Sequence, residues 1–195
     1  MASDALLTQL GSIVGDDGVI TDPVRLMVYE SDGLTAYRRA PLAVVLPRTT
    51  AEVQAVLGAL HASGTPFVPR GAGTGLSGGC LAGPDAVVIG TARMNRILSV
   101  DPENRTARVQ PGVVNAHLTE AVRPHGLYYA PDPSSQSTCT LGGNVAENSG
   151  GPHCLKYGVT SRYITALTVV LPSGETMELG GFGSATDLDL IGLFI

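Results

Sequence analysis

Directly after a short apolar run at residues 66–68, the chain reads Pro69-Arg70-Gly71-Ala72-Gly73-Thr74-Gly75-Leu76-Ser77-Gly78-Gly79. Five glycines in nine residues, 71–79, forbid a regular helix or strand there. They permit positive φ and close backbone approach instead. Successive N–H groups in such a turn converge into an anion-binding concavity, and a diphosphate is the guest this predicts. Gly73-x-Gly75-x-x-Gly78 matches the dinucleotide fingerprint, but that reading also needs a helix opening at the loop and an acid at the end of the next strand. Here Gly79-Cys80-Leu81-Ala82-Gly83-Pro84 cannot start a helix, and the next apolar run, 86–89, ends in Gly90. No Gly-Lys-Ser/Thr follows, which excludes a P-loop. The loop binds phosphate in some other architecture.

The surrounding pattern gives the fold class. Leu6, Leu7, Leu10, Ile13 and Val14 stand at helical spacing, and Gly15 offers a stop. Residues 41–46 form a buried strand closed by Pro47. Thr49 and Thr50 cap a helix over 51–63 with Val53, Val56, Leu57 and Leu60 on one face, and Gly64 ends it. Strand, helix and strand within this length make a parallel βαβ unit. Beyond it, 86–89 is a strand. Segments 96–101 and 105–110 are strands around Pro102-Glu103-Asn104, 113–125 is a helix, and 163–171 with 175–179 form a hairpin around Pro172-Ser173-Gly174. The fold class is α+β. An N-terminal helical segment (1–40) precedes a small parallel unit (41–90), and a larger mixed or antiparallel sheet with flanking helices follows (91–195). The apolar C-terminal run 189–195 suggests a chain ending inside an element.

Charge narrows the partners. Twelve Lys and Arg against seventeen Asp and Glu give −5, with no basic patch, so nucleic acid is not an expected partner. No apolar run approaches a membrane span, and Asp4 stands where a secretory signal carries a base. A cytoplasmic protein is expected. Cys80, Cys139 and Cys154 lack disulfide or metal spacing, so they are expected to be reduced thiols. His153-Cys154 is not expected to bind metal.

From 128 to 158 periodicity almost vanishes, and a loop that long is usually functional. Within it Ser134-Ser135-Gln136-Ser137-Thr138-Cys139-Thr140-Leu141-Gly142-Gly143-Asn144 supplies hydroxyls, amides and bare backbone, the donors a large polar cofactor needs. Two such loops about 70 residues apart suggest one extended ligand held at both ends.

Several longer stretches carry a resemblance. They are Tyr29-Glu30-Ser31-Asp32-Gly33-Leu34-Thr35-Ala36-Tyr37-Arg38, the loop Arg70 to Gly79, Tyr128-Tyr129-Ala130-Pro131-Asp132-Pro133-Ser134-Ser135-Gln136, Gly142-Gly143-Asn144-Val145-Ala146-Glu147-Asn148 and His153-Cys154-Leu155-Lys156-Tyr157-Gly158. Over 25–195 the chain resembles the FAD-binding (PCMH-type) domain of the vanillyl-alcohol-oxidase superfamily, and within it the flavin subunits of the bacterial glycolate-oxidase type. The resemblance implies FAD as cofactor. Arg70, Gly71, Ala72, Gly73, Thr74, Gly75 and Leu76 would wrap the diphosphate, with Ser77 and Gly78 continuing the contact. Pro131, Asp132, Pro133, Ser137 and Thr138 would run beside the flavin ring. Gly142, Gly143 and Asn144 would close over the ribityl and phosphate region, and Gly158 and Ile164 would lie near the adenine.

The implied function is oxidation of a small 2-hydroxy acid, with electrons passing to an iron–sulfur subunit or a quinone. Such a partner would place the protein at the inner face of the membrane. D-lactate or D-2-hydroxyglutarate specificity, or a non-catalytic flavin-binding subunit, are the alternatives. Tethered relatives carry a His after the glycine loop or a differently spaced Cys. Here Cys139 precedes Gly142 by three residues, so FAD is expected to be non-covalent. Relatives continue with a substrate-binding cap, so residues 1–195 alone are not expected to turn over. No catalytic residue is assigned. Of His61, His117, His125 and His153, the three in or beside helices are expected to be packing or surface residues.

Overall fold

The computed structural model describes residues 4–181 and 189–195; Met1–Ser3, the start of the segment compared with a secretory signal, lie outside them. The chain divides into two compact units, Met1–Arg93 with Val170–Met177, and Met94–Val169 with Glu178–Ile195.

In the first unit α1 (Asp4–Val14) buries Leu6, Leu10 and Val14 and ends at Gly15, whose φ of +80° stops the helix. The strands are β1 (Val19–Ile20), β2 (Ala43–Val45), β3 (Phe67–Arg70) and β4 (Val87–Gly90), in spatial order β1-β2-β4-β3. β4 runs parallel to both β2 and β3, and β1 is antiparallel to β2. The βαβ crossover is therefore present, but β4 inserts between its two strands. A short turn of helix, α2 (Pro23–Leu26), is capped by the Asp22 carboxylate. Crossover helix α3 (Thr50–Ser63) opens with Thr49 Oγ1 accepting from Glu52 N at 3.1 Å. It closes at Gly64, whose N–H donates back to His61 and Leu60.

The period of two in β2 and β4 explains why both runs are wholly apolar. Ala43, Val45, Val87 and Ile89 face α1 and α3, with Leu10, Val56 and Leu60. Val44 and Val88 face the opposite layer of Ile20, Leu26, Ala82 and Ala86. A parallel sheet covered on both faces needs such continuous apolar strands.

In the second unit β5 (Ile97–Asp101) and β6 (Thr106–Val109) form an antiparallel hairpin. Asp101 accepts from Asn104 in its turn, and Arg105 takes φ +55°. The helix expected over 113–125 is shorter as α-helix: α4 (Asn115–Val122) passes into a 3₁₀ turn, Arg123–His125, where Pro124 cannot donate to the ladder. The stretch 128–158 holds two helices that periodicity did not show, α5 (Leu141–Ala146) and α6 (Cys154–Tyr157). Both are too short to display a stripe. Val113, Leu118, Val122 and Leu141 form this unit's core.

β7 (Ala166–Val170) and β8 (Thr176–Gly180) form the last hairpin, and α7 (Ile191–Phe194) follows. Beyond the parallel unit, the named strands of the described residues pair in these two hairpins, and an isolated antiparallel bridge joins Val114 to Thr140. No described helix is long and apolar enough to cross a membrane.

Candidate functional site

The glycine loop of the first unit leaves the end of β3 and is shaped from behind. Arg70, only 8% exposed, turns back into the protein. Its Nη1 donates to Cys80 Sγ at 3.3 Å, its Nη2 to the Val28 carbonyl at 3.5 Å, and its guanidinium lies 5.6 Å from the Tyr29 ring centroid. Gly73 sits at φ +70° directly against that guanidinium, so a Cβ there would collide with it.

Asp32, 7% exposed, accepts from Leu34 N at 2.8 Å and from Gly78 N at 2.9 Å. Gly33 N donates to Gly75 O at 2.9 Å, and a Cβ on Gly33 would stand 2.7 Å from Thr74 O. Residues 28–34 thus form a strap that fixes the loop. Neither Asp32 nor Gly33 announces this from sequence, because the partners are some 45 residues away. The signals for this segment are its place in a stretch that carries the resemblance, 29–38, and the turn chemistry of Ser31-Asp32-Gly33.

What the strap leaves open is informative. Among the described residues, the backbone N–H groups of 71–77 donate to no other group of the chain. Ala72, Gly75, Leu76 and Ser77 are exposed. Gly75 has no atom within 4 Å of where its Cβ would be, and its φ is not positive. A row of unused amides beside open space is what an anionic ligand requires. Gly78 differs, because its N–H already belongs to Asp32.

In the second unit the segment 131–139 is pinned to the start of α4. Asn115 Nδ2 donates to Pro131 O at 3.1 Å, Asn115 N to Cys139 O at 3.0 Å, and Ala116 N to Gln136 O at 3.0 Å. Pro131 and Pro133 are buried; Ser137 and Thr138 are exposed with free hydroxyls among the described residues. Asp132 Oδ2 meets His153 Nδ1 in a short contact, and that hydrogen bond holds the Asp132 carboxyl below the usual carboxylate range.

The pair Gly142-Gly143 serves the helix. Gly142 N donates to Pro111 O at 2.8 Å, and a Cβ on Gly142 would stand 2.6 Å from Pro111 Cβ. Gly143 N is taken by the capping Thr140 Oγ1 at 3.4 Å. Asn144 beside them is 1% exposed, and its Nδ2 finds no partner. A buried amide donor left unpaired costs about 1–3 kcal/mol, and Tyr129 Oη and Arg93 Nη1 are likewise buried without a partner. Gly158 has φ +81° against the Arg162 side chain, and half-buried Ile164 ends the 3₁₀ turn Thr160–Tyr163.

The phenols nearby have unequal environments. Burial pushes Tyr129 up to about 12. The Tyr128 hydroxyl, followed by Lys156, holds Tyr157 below its ordinary value, while Tyr128 itself is raised by Tyr157. No disulfide joins Cys80, Cys139 and Cys154, and no metal-holding cluster occurs among the described residues.

The family described as FAD binding domain matches residues 41–180. The glycolate oxidase subunit GlcD of Escherichia coli K12 is 51% identical over 170 residues, covering 87% of this chain and 34% of that protein. The D-2-hydroxyglutarate dehydrogenase of Stutzerimonas stutzeri is 36% identical over 197 residues, covering 100% of this chain and 42% of that protein. The solved structure of an alkyldihydroxyacetonephosphate synthase superposes with a TM-score of 0.88 at 23% identity, over 100% of this chain and 38% of that one. The last likeness shows the fold. The chain spans about a third of the length of the first of these relatives.

Proposed function

Because the chain belongs to the FAD-binding domain family, we propose that it is the flavin-holding part of a 2-hydroxy-acid dehydrogenase of the glycolate-oxidase type. FAD is the cofactor of this domain. The observation that carries the substrate class is the 51% identity to a glycolate oxidase subunit. D-2-hydroxyglutarate is the second reading, favoured by a match that extends over the whole chain.

The residues present fit the cofactor. The unused amides of Gly71, Ala72, Gly73, Thr74, Gly75, Leu76 and Ser77 would hold the diphosphate. Arg70 would act through the loop it pins, and Gly78 through the bond that Asp32 accepts. Asn144 Nδ2, Ser137 and Thr138 would donate to polar groups of the ligand. Pro131, Asp132 and Pro133 would line it, with Gly142 and Gly143 setting the helix that presents Asn144, and Gly158 and Ile164 at the far end. When bound, FAD supplies a two-electron acceptor for the hydride equivalent leaving the substrate carbon. The chain's part is to bind, orient and exclude water.

Non-covalent attachment, a cytoplasmic location and an iron–sulfur electron acceptor complete the proposal. The test is anaerobic mixing of the natural holoprotein with glycolate, D-lactate or D-2-hydroxyglutarate. Bleaching of the oxidised flavin band by one of them supports the reading; an unchanged band with all three overturns it.

A further inference from the structure

The strap that fixes the glycine loop is itself a closed loop. Residues 31–38 contain no helix or strand, and of these only Asp32 is buried. Upstream the stretch is anchored through the 3₁₀ turn Met27–Tyr29. Leu26 is buried, Tyr29 packs against the same cluster as Val44 and Val88, and the Val28 carbonyl takes Arg70 Nη2. Downstream the chain enters the sheet as Leu42 N donates to Ala86 O at 2.9 Å. Between these anchors lie the contacts on the glycine loop, Gly33 N to Gly75 O and Gly78 N to Asp32 Oδ2, each 2.9 Å.

One residue ties the ends together. The Glu30 carbonyl accepts from Arg39 N at 2.7 Å, and the Glu30 carboxylate accepts from Arg38 Nη1 at 3.1 Å. Both bonds therefore close the same loop around Asp32 and Gly33. Exposed ion pairs between long side chains contribute little, because both partners must be held in one geometry. Here the Glu30 side chain is 19% exposed, against 64% for the Asp17 that pairs with Arg48 and Arg93, so one partner is already held. What the pair orders is the exposed stretch 33–37. With its ends tied, that stretch keeps Asp32 and Gly33 against the glycine loop. Untied, the strap is free to lift between its two anchors.

We propose that the Glu30–Arg38 pair is the latch of this strap and sets how long the glycine loop keeps its FAD. Glu30 and Arg38 are positioning residues, acting through Asp32 and Gly33 rather than by touching the cofactor. The inference rests on the assignment of this loop to the diphosphate proposed above. When the strap lifts, Gly78 N and Gly75 O lose their partners and the amides of 71–77 lose their alignment. A local opening of this kind requires far less free energy than global unfolding, and it is the step through which a ligand held by several amides at once escapes.

The experiment uses the natural holoprotein carrying Glu30→Gln, Arg38→Gln, the two together, or Asp32→Asn. Dilution into buffer without FAD, followed by the rise of free-flavin fluorescence, gives the release rate of each. It is measured at about 0.01 M and about 1 M sodium chloride, where charges are screened beyond roughly 30 Å and 3 Å. Starting FAD content and an apo melt check that each variant is folded; Arg38, 63% exposed at the side chain, is the replacement the fold tolerates best.

At low salt each latch variant is expected to release FAD ~2- to 5-fold faster than wild type. The double variant is no faster than the single ones, because one pair can be lost only once. At high salt the gap to wild type closes. Asp32→Asn releases FAD faster at both salt concentrations. Wild-type or slower release from Glu30→Gln and Arg38→Gln overturns the latch, as does a double variant whose effect is the product of the two singles, or a gap that keeps its full width in high salt. In each of these cases fast release from Asp32→Asn leaves the loop's assignment standing. Wild-type release from Asp32→Asn overturns that assignment, and the latch with it.

Discussion

Replacing Gly75 by Ala separates the ligand's demands from the protein's own. Gly75 carries no positive φ, and no atom lies within 4 Å of the position a Cβ would take. The apoprotein therefore has no steric reason to reject the methyl group. Replacing a glycine at a compatible φ lowers the entropy of the unfolded chain and stabilises by roughly 0.4–1 kcal/mol. The apo melting temperature should stay level or rise. FAD binding should weaken if the diphosphate lies against this loop, because the methyl group takes up open space beside amides that donate to nothing else in the chain. Losing one charge-assisted hydrogen bond costs roughly 1.5–3 kcal/mol, which is about 10- to 150-fold in Kd.

Gly73→Ala is the control with the opposite signature. At φ +70° and against the Arg70 guanidinium, Ala there costs roughly 1–2 kcal/mol of backbone strain and disturbs the contacts of Arg70 with Cys80 and Val28. For a chain of this size that lowers the apo melting temperature by roughly 2–8 °C. Fluorescence titration of apoprotein with FAD and a thermal melt of each variant check both. Wild-type FAD affinity in Gly75→Ala would refute the assignment of the loop to the diphosphate. An apo melt as low as that of Gly73→Ala would refute the argument from open space.

Further expectations concern the strap, the buried amide, the ion pair and the flavin link. Asp32→Asn removes an acceptor from Gly78 N and should cost the apoprotein about 1–3 kcal/mol, read in urea, with weaker FAD binding on top. Asn144→Leu relieves an unpaired buried donor, so the apoprotein should be as stable as wild type or more so while FAD binds less tightly. Asp132 has its folded pKa held below 3.8 by His153. Its contribution is therefore present above about pH 4 and is lost as pH falls through the lower folded value; apo melts across pH 2–6 should show Asp132→Asn losing less on acidification than wild type. Acid precipitation should release all flavin as FAD, and colour left in the pellet would contradict non-covalent binding.

The parts of this fold that depend on neighbours in sequence were legible in it. Thr49 and Gly64 bracket α3, Gly15 ends α1, and the wholly apolar runs of β2 and β4 specify strands covered on both faces. The order of the sheet was not legible, because nothing in residues 41–70 says that β4 will insert between β2 and β3. Helices α5 and α6 were hidden by their length. Leu141-Gly142-Gly143-Asn144 reads as loop by propensity, yet Thr140 caps it and Pro111 packs against its first glycine. The candidate site divides the same way. The glycine loop was visible at once, whereas Asp32, Gly33, Asn115 and the pairing of His153 with Asp132 depend on contacts between distant segments.

Asp32 poses the sharper physical question, since a carboxylate beside the loop proposed to hold the diphosphate should repel it. The hydrogen bonds resolve it. Its two oxygens are spent on Leu34 N and Gly78 N, so its charge is already met by two backbone donors. Arg70, pinned against Cys80 and Val28, adds a buried positive charge beneath the same turn. A loop with five glycines would otherwise sample many conformations, and ordering each residue costs about 1–2 kcal/mol. The strap settles that cost in the apoprotein. A diphosphate bound there, as proposed, would meet amides already in place, and preorganisation of this kind converts weak individual contacts into affinity. The same logic separates the loop's glycines by task. Gly73 and Gly78 are required by the backbone they adopt, at φ +70° and +79°. Gly75 is required by neither its φ nor any contact within the chain, and the proposed diphosphate is what would require it.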